Sequence, residues 1–347
     1  MERYGIRGHA NDFFRSYLTG RQQFCSINNV ASRLRNQSHG VPQGSVLGPL
    51  LFLIYINDLP NAITGGELRL FADDTSLFLT GNNLDEVISD AKIKISKLKE
   101  WFMCNKLTLN ESKTHFCLFH TKNKPIPSDL VTIECNNMII HRCDTIKYIG
   151  LMMDEQLNWK NHIDYLLKSI MKYFGIFNNI KGYISKPLAR QLFFAFVNSR
   201  ITYGIEAFGS CSTTNFKKLQ VVQNKLLKIL TCKPYRFSTN ELHRELNILK
   251  IADVYKCSLL SIIHKWKNNN LPLALNNMFV FKSVVRDTRQ GSSIIIPRFR
   301  TTIGSTAVNI RAARLWGTVP EDKSNIKNTN TFRRHMAQSF ISQYLDI

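Results

Sequence analysis

Two adjacent aspartates, Asp73 and Asp74, stand in the middle of "LRLFADDTSLFLT", Leu68 to Thr80. Neighbouring carboxylates offer hard oxygen donors, the ligands that Mg2+ prefers. They also have a plainer reading, an acidic turn exposed to water. The flanks narrow the geometry without choosing between the two. Leu68, Leu70 and Ala72 alternate with Arg69 and Phe71, and Leu77 and Leu79 alternate with Ser76, Phe78 and Thr80. Alternation at period two predicts two strands, with a tight hairpin turn at the aspartates. Aspartate tolerates the positive φ that such turns need, less readily than Gly or Asn.

A second stretch that bears on chemistry is "HGVPQGSVLGPLLFLIYINDLP", His39 to Pro60. Gly40 and Gly44 allow sharp turns and close approach of the backbone to a ligand. Ser45 is placed to cap a helix running to about Asn57, with Pro49 in its first turn. That helix is apolar on most sides, which predicts a position in the middle of its domain. A helix-entry loop with no ligand is the alternative.

The elements that must position these residues follow from periodicity. "QQFCSINN" and "VASRLRNQ" read as a hairpin turning at Asn28-Asn29. After the Asp-Asp hairpin, Asn83 and Glu86 have capping-box spacing at the start of a long helix. Its apolar face includes Leu84, Ala91, Leu98 and Phe102, and Lys92, Lys94, Lys97 and Lys99 mostly decorate the rest. Strands are expected at about Thr114–Phe119 and at Thr145–Asp154, with a polar loop at Thr121–Ser128. Hairpins interleaved with helices predict an α+β fold, an antiparallel sheet with helices on one face. From about Trp159 the pattern becomes helical, with stripes through Ile163–Phe177, Leu188–Val197 and Leu219–Leu230. These stripes read as helix-bundle core rather than as cofactor contacts. The tail from Arg286 is basic and mixed in pattern.

Composition sets bounds on function. The chain of 347 residues carries a net charge of +21. Residues 1–159 hold 17 Lys and Arg against 16 Asp and Glu, and residues 160–347 hold 29 against 9, so the C-terminal part alone carries +20. So lopsided a charge points to a polyanion, most often nucleic acid. No apolar run approaches the roughly 20 residues of a membrane span, and no signal-peptide pattern opens the chain. The sequence therefore predicts an intracellular protein, in nucleus and cytoplasm, with no membrane partner and its eight cysteines reduced. Cys135, His141 and Cys143 lack a standard zinc spacing and a clear fourth ligand.

A glycine loop, an apolar helix, a carboxylate hairpin and a basic helical half together suit nucleotidyl transfer on a nucleic-acid primer. That chemistry uses two divalent ions about 3.5–4 Å apart, and a dication would relieve the repulsion between adjacent carboxylates. The sequence also resembles the reverse transcriptases of non-long-terminal-repeat (LINE-type, jockey-like) retrotransposons. The resemblance rests on "GVPQGSVLGPLLFLIYINDLP" and "LFADDTSLF", continues through "NKLTLNESKT" and "IKYIGLMMDEQLNWKNHI", and reaches "ARLWGTVP" near the C-terminus.

The resemblance implies an RNA-directed DNA polymerase with Mg2+ or Mn2+, an RNA template, a DNA primer and deoxynucleoside triphosphates. It implies a partial palm at residues 1–158, an all-α basic thumb at 159–235 and a basic C-terminal helical region at 236–347. Asp73 and Asp74 would be the catalytic, metal-binding carboxylates. Pro42, Gln43, Gly44, Ser45, Phe71, Ala72 and Lys113 would line the nucleotide and template pocket. The family carries a further metal-binding aspartate on a strand before the segment equivalent to "RYGIRG", Arg3 to Gly8 here. Asp12 falls in the following helix and does not replace it. The expectation is therefore an N-terminally truncated polymerase with an incomplete two-ion site, inactive alone. A non-catalytic nucleic-acid-binding remnant of a mobile element is the alternative.

Overall fold

The computed structural model describes residues 2–121, 123–124, 126–127, 130–281 and 294–344. The expected loop at Thr121–Ser128 and the start of the tail at Arg286 fall partly outside them. The chain forms two compact units, Met1–Thr114 with Thr132–His141, and His115–Val131 with Arg142–Ile347. Secondary structure is mixed α and β, with several small antiparallel sheets in place of the single sheet expected.

In the first unit, local sequence accounts for most turns. Ser26–Ile27 pairs with Val30–Ala31 across Asn28 and Asn29, at φ 48° and 65°. Both central residues are left-handed, as a type I′ turn requires, and Asn accepts that conformation. Ser45 Oγ accepts the Gly48 N–H at 3.1 Å, capping the helix Leu47–Ile56 as its position predicts. A Cβ on Gly48 would stand 2.9 Å from that Oγ and 3.3 Å from Val41 Cγ2, so glycine lets the loop fold back on the helix. The helix itself departs from expectation. It buries Gly48, Leu51 and Ile56, while Leu50 and Leu53 remain about half exposed. Only one face of this apolar helix meets the unit's core.

That core holds Ile56, Leu59, Ile63, Leu98 and Phe102, with Phe52, Leu68, Leu70 and Leu77 packed against it. Full burial of a side chain such as Leu59 contributes about 1.5–3 kcal/mol. The helix Leu84–Cys104 is capped by Asn83, whose side chain accepts the Asp85 N–H at 3.1 Å. Its buried face is Ala91, Lys94, Leu98 and Phe102. Lys94 is thus a correction, since it sits 7% exposed on the face expected to be apolar. Asp90, one turn earlier, receives its ammonium in an ion pair, and the methylene stem covers apolar surface. The strand Thr132–Cys135 lies against the same helix, where the Cys135 thiol donates to Lys92 O at 3.2 Å.

In the second unit, Thr145–Asp154 is a hairpin, not the single strand expected. Thr145–Tyr148 pairs with Leu151–Asp154 around Ile149 and Gly150, both at positive φ. The helices then pack around one core that includes Ile163, Phe177, Phe193, Phe208, Leu226, Ile263 and Phe332. Helix Ile251–Lys267 lies at its centre. It packs on Thr213–Leu230 and Ile205–Phe208, and also on Val308–Trp316 and Thr329–Ser342. Buried residues occur all round it, as a central helix requires. The stripe expected at Leu188–Val197 is rotated. Ala189, Phe193, Val197 and Ile201 are buried, while Leu188 and Phe196 are exposed. A π-helical stretch at Phe193–Asn198 widens the turn there, and the wider turn keeps residues four apart on one face. Among the described residues no helix is long and apolar enough to cross a membrane.

Candidate functional site

Asp73 and Asp74 sit at the end of the hairpin formed by Glu67–Phe71 and Asp74–Phe78. The register pairs Leu68 with Leu77 and Leu70 with Thr75 on the side that packs on the core. Phe71 faces Asp74, and Arg69 faces Ser76, on the other side. The turn residues are Ala72 and Asp73, so Asp74 is already the first residue of the returning strand. Positive φ falls on Ala72, at 52°, and not on either aspartate. A left-handed first position followed by an ordinary second one is the pattern of a type II′ turn.

Ala72 thus holds a conformation that disfavours an L-residue by roughly 1–2 kcal/mol. The core contacts of Leu68, Leu70 and Leu77 set the strand register, and the register forces the turn to be two residues long. Replacing Ala72 with Gly is expected to stabilise the first unit by about 1 kcal/mol, and replacing it with Val to destabilise it by at least as much. Urea unfolding of the two variants measures this; equal midpoints would mean that the turn carries no strain.

Both carboxylates are exposed. The cation on their side of the hairpin, Arg69, is paired with Glu67 instead. Among the described residues no hydrogen bond or ion pair is made to the side-chain carboxylate of Asp73 or Asp74. The arrangement leaves two adjacent carboxylates without counter-charge on a short, pinned hairpin. Arg69 spent on Glu67 is the feature that sequence reading misses, because period-two spacing puts Glu67 and Arg69 on one face without saying which acid the cation chooses.

The glycine loop contains a well-formed turn. Ser45 N donates to Pro42 O at 3.3 Å, with Gln43 and Gly44 as central residues and Gly44 at φ 77°. Positive φ at the second central position defines a type II turn and favours glycine there. A Cβ on Gly44 would meet nothing within 4 Å, so the turn faces open space.

Lys113 lies in the short helical turn Glu111–Lys113. Asn110 organises "NESKT". Its side chain accepts from Ser112 Oγ at 2.8 Å, and its carbonyl accepts from Thr114 Oγ1 at 2.8 Å. An ion pair of Glu111 with Lys99, at 3.6 Å, ties the turn to the long helix. The loop, the hairpin and the Lys113 turn therefore belong to one unit. The loop's helix and the hairpin share one core, through Phe52 and Ile56 on one side and Leu68, Leu70 and Leu77 on the other. Among the described residues no hydrogen bond or ion pair joins Pro42–Ser45 or Lys113 to the two aspartates.

Cys135 and Cys143 use their thiols on backbone carbonyls, Lys92 O and Phe116 O. Among the described residues no group of three or more His, Cys, Asp or Glu is gathered as a metal cluster. Two adjacent carboxylates still suit one hydrated Mg2+, which binds one or two of them and keeps several waters.

Comparison with known proteins concerns the same part of the chain. Residues 1–153 match the family described as reverse transcriptase (RNA-dependent DNA polymerase). The chain is 29% identical over 250 residues to the probable RNA-directed DNA polymerase from transposon BS of Drosophila melanogaster. It is 26% identical over 249 residues to the RNA-directed DNA polymerase from mobile element jockey of Drosophila funebris. It is 25% identical over 247 residues to the probable RNA-directed DNA polymerase from transposon X-element of Drosophila melanogaster. Each alignment covers 69% of this chain and 27% of the relative, so the chain spans about a quarter of the length of these proteins. The carboxylate hairpin, the glycine turn and the "NESKT" turn all fall within residues 1–153, the part of the chain that matches the reverse transcriptase family and is similar to the polymerases of these mobile elements.

Proposed function

We propose that this chain is part of an RNA-directed DNA polymerase, with residues 1–158 as a partial palm, 159–235 as a helical thumb and 236–347 as a basic C-terminal helical region. One observation carries the reading: Asp73 and Asp74 stand on a pinned hairpin inside the reverse-transcriptase match, with no counter-charge among the described residues. The pair would hold Mg2+ or Mn2+. A divalent ion bound there supplies Lewis-acid stabilisation of phosphoryl oxygens.

The chain's own residues do the positioning. The cross-strand pairs Leu68–Leu77 and Leu70–Thr75 keep both carboxylates on a rigid support. The Pro42–Ser45 turn, open on its outer side, lines the nucleotide and template pocket with Phe71 and Ala72. Lys113 supplies a cation for the triphosphate of a deoxynucleoside triphosphate. RNA template and DNA primer lie against the lysines and arginines of the helical unit. The protein works inside the cell, in nucleus and cytoplasm.

Two measurements test the assignment. Mn2+ binding followed by EPR is expected to weaken by roughly tenfold or more, at least ~1.4 kcal/mol, in Asp73→Asn. Primer extension on an RNA template with Mg2+ or Mn2+ is run beside the same variant. Incorporation that Asp73→Asn abolishes supports a polymerase; Mn2+ binding and incorporation that are equal in both proteins sink the role given to the pair. A second reading, a nucleic-acid-binding chain without catalysis, is favoured by the +20 of residues 160–347. Its signature is tight duplex binding with no incorporation under either ion.

A further inference from the structure

Two of the eight cysteines, Cys117 and Cys143, come together inside the second unit. Phe116 O accepts the Cys143 N–H at 2.9 Å and the Cys143 thiol at 3.4 Å. That carbonyl belongs to the peptide that links Phe116 to Cys117, so the Cys143 sulfur lies one peptide away from the other cysteine. The side chains also engage each other, the Cys117 thiol supplying a hydrogen bond that favours the Cys143 thiolate. A backbone bond between extended segments holds them about 4.7–5.5 Å apart, within the roughly 4.4–6.8 Å that a disulfide spans between Cα atoms. Both residues keep partial exposure.

The surroundings keep both sulfurs as thiols near pH 7. Burial first, then the Cys143 sulfur and the Glu155 carboxylate, push Cys117 up to about 12, against an opposing pull from Arg142. Burial, Asp144 and Glu155 raise Cys143 as well. Glu155 is held in place by Arg142, which donates to its Oε1 from Nε at 2.9 Å and from Nη2 at 2.7 Å. A disulfide is uncharged, so these carboxylates oppose the attacking thiolate and not the oxidised product. They slow oxidation without weakening the bond. Among the described residues no third His, Cys, Asp or Glu joins the two as a metal cluster, so the chemistry on offer is that of a thiol pair.

We infer that Cys117 and Cys143 form a reversible disulfide, a redox-sensitive crosslink made by exchange with a low-molecular-weight disulfide such as oxidised glutathione. The Cys143 thiolate attacks one sulfur of the oxidant, whose S–S bond breaks and releases one glutathione thiolate. The Cys117 thiolate then attacks the Cys143 sulfur of the mixed disulfide and expels the second glutathione. Each leaving thiolate takes up a proton that a protein thiol gave up. Two protein thiols have lost two electrons, and one glutathione disulfide has become two thiols. In a reducing compartment such a crosslink is transient and reports the redox state. It closes a loop of about 25 residues, which restricts the unfolded chain. The inference stands on this pair alone and does not rest on the polymerase reading.

Incubation of the full chain in glutathione redox buffers, followed by peptide mapping without reductant, tests it. The expected product is one linkage between the peptides that contain Cys117 and Cys143, reversed by dithiothreitol. Its rate is expected to rise about tenfold per pH unit from 7 to 9, because the thiolate fraction grows in that proportion while both sulfurs stay mostly protonated. Oxidation is expected to raise the melting temperature by roughly 5 °C or more, and to leave that of Cys117→Ala and Cys143→Ala unchanged. In Cys117→Ala, Cys143 should stop at the mixed disulfide with glutathione; Cys25→Ser should still form the crosslink. Mapping of the unaltered chain carries the test alone if either alanine variant melts early. Lasting mixed disulfides at both positions, linkages to other cysteines formed as readily, or no loss of thiols overturns the proposal. None of these readouts is incorporation or Mn2+ binding, so this failure is distinct from failure of the polymerase reading.

Discussion

Raising salt from 50 to 200 mM is expected to weaken binding of this chain to an RNA–DNA duplex by about a thousandfold, on the basis of roughly six phosphate contacts. The magnitude follows from counterion release, in which each neutralised phosphate adds about 0.9 to the log–log slope. The charge that drives it is concentrated. Lys181, Lys225, Lys228 and Lys233 line a cleft of about 710 Å3 beside helices Tyr173–Ile180 and Thr213–Leu230. Among the described residues, Lys233 alone of the four pairs with a carboxylate, Glu245 at 3.4 Å. Tyr235 stands at the same cleft, 82% exposed, with the Lys228 ammonium 5.6 Å from its ring centre. Filter binding across a salt series reads the slope directly. A slope near zero would remove the basic half from every functional account of this protein. Lys225→Gln is expected to reduce the slope by about one unit, because one phosphate contact disappears.

Acid is expected to unfold the helical unit well above the range in which carboxylates titrate. Three histidines are buried in it, His162, His243 and His264. Burial holds the first two at about 4 and lowers the third, against an ordinary value of 6.5. Between pH 6.5 and 4 the unfolded chain therefore binds protons that the folded chain refuses. Stability is complete above pH 6.5 and falls as the solution is acidified, by about 3 kcal/mol at the limit for each strongly shifted ring. Two such rings approach the whole stability of an ordinary domain.

The environments explain the resistance to protonation. His162 packs against Phe208 at 4.7 Å and offers a proton no acceptor. His264 stacks on Phe332 at 4.3 Å. His243 has Ile248 O at 2.9 Å, which favours a proton, but the desolvation outweighs it. Glu245 behaves oppositely. The Lys186 and Lys233 ammoniums hold it below its ordinary value, so its contribution is lost only at lower pH. Thermal melts followed by circular dichroism between pH 7.5 and 4.5 separate the two windows. The equilibrium constant for unfolding should rise with roughly two to three protons taken up. A melting temperature that stays level down to pH 4.5 would refute the account.

How much of this could be read before the fold was known depends on the distance over which each feature is decided. The turn at Asn28-Asn29, the Gly44 turn and the Ser45 and Asn83 caps were all legible. Each is settled by atoms no more than three residues apart, so residue type and spacing contain the whole cause. Asp73-Asp74 was legible for the same reason, as a hairpin end bounded by alternating strands. What the sequence misplaced was the left-handed residue, which is Ala72, because strand register rather than turn preference assigns it.

Burial was the feature the sequence could not settle. Lys94 lies inside and Leu50 outside, against their chemistry, because an ion pair with Asp90 and the shape of a neighbouring core decide each case. The pairing of Cys117 with Cys143 was invisible for a related reason. The two thiols meet only after the segments that carry them have come together, and no spacing along the chain announces that meeting. By itself, then, the sequence determined the local geometry of the carboxylate hairpin and the sign of the charge. Which carboxylates lack a counter-ion, and which buried ring lacks a partner, came only with tertiary structure, because both depend on long-range competition among groups for the same neighbours.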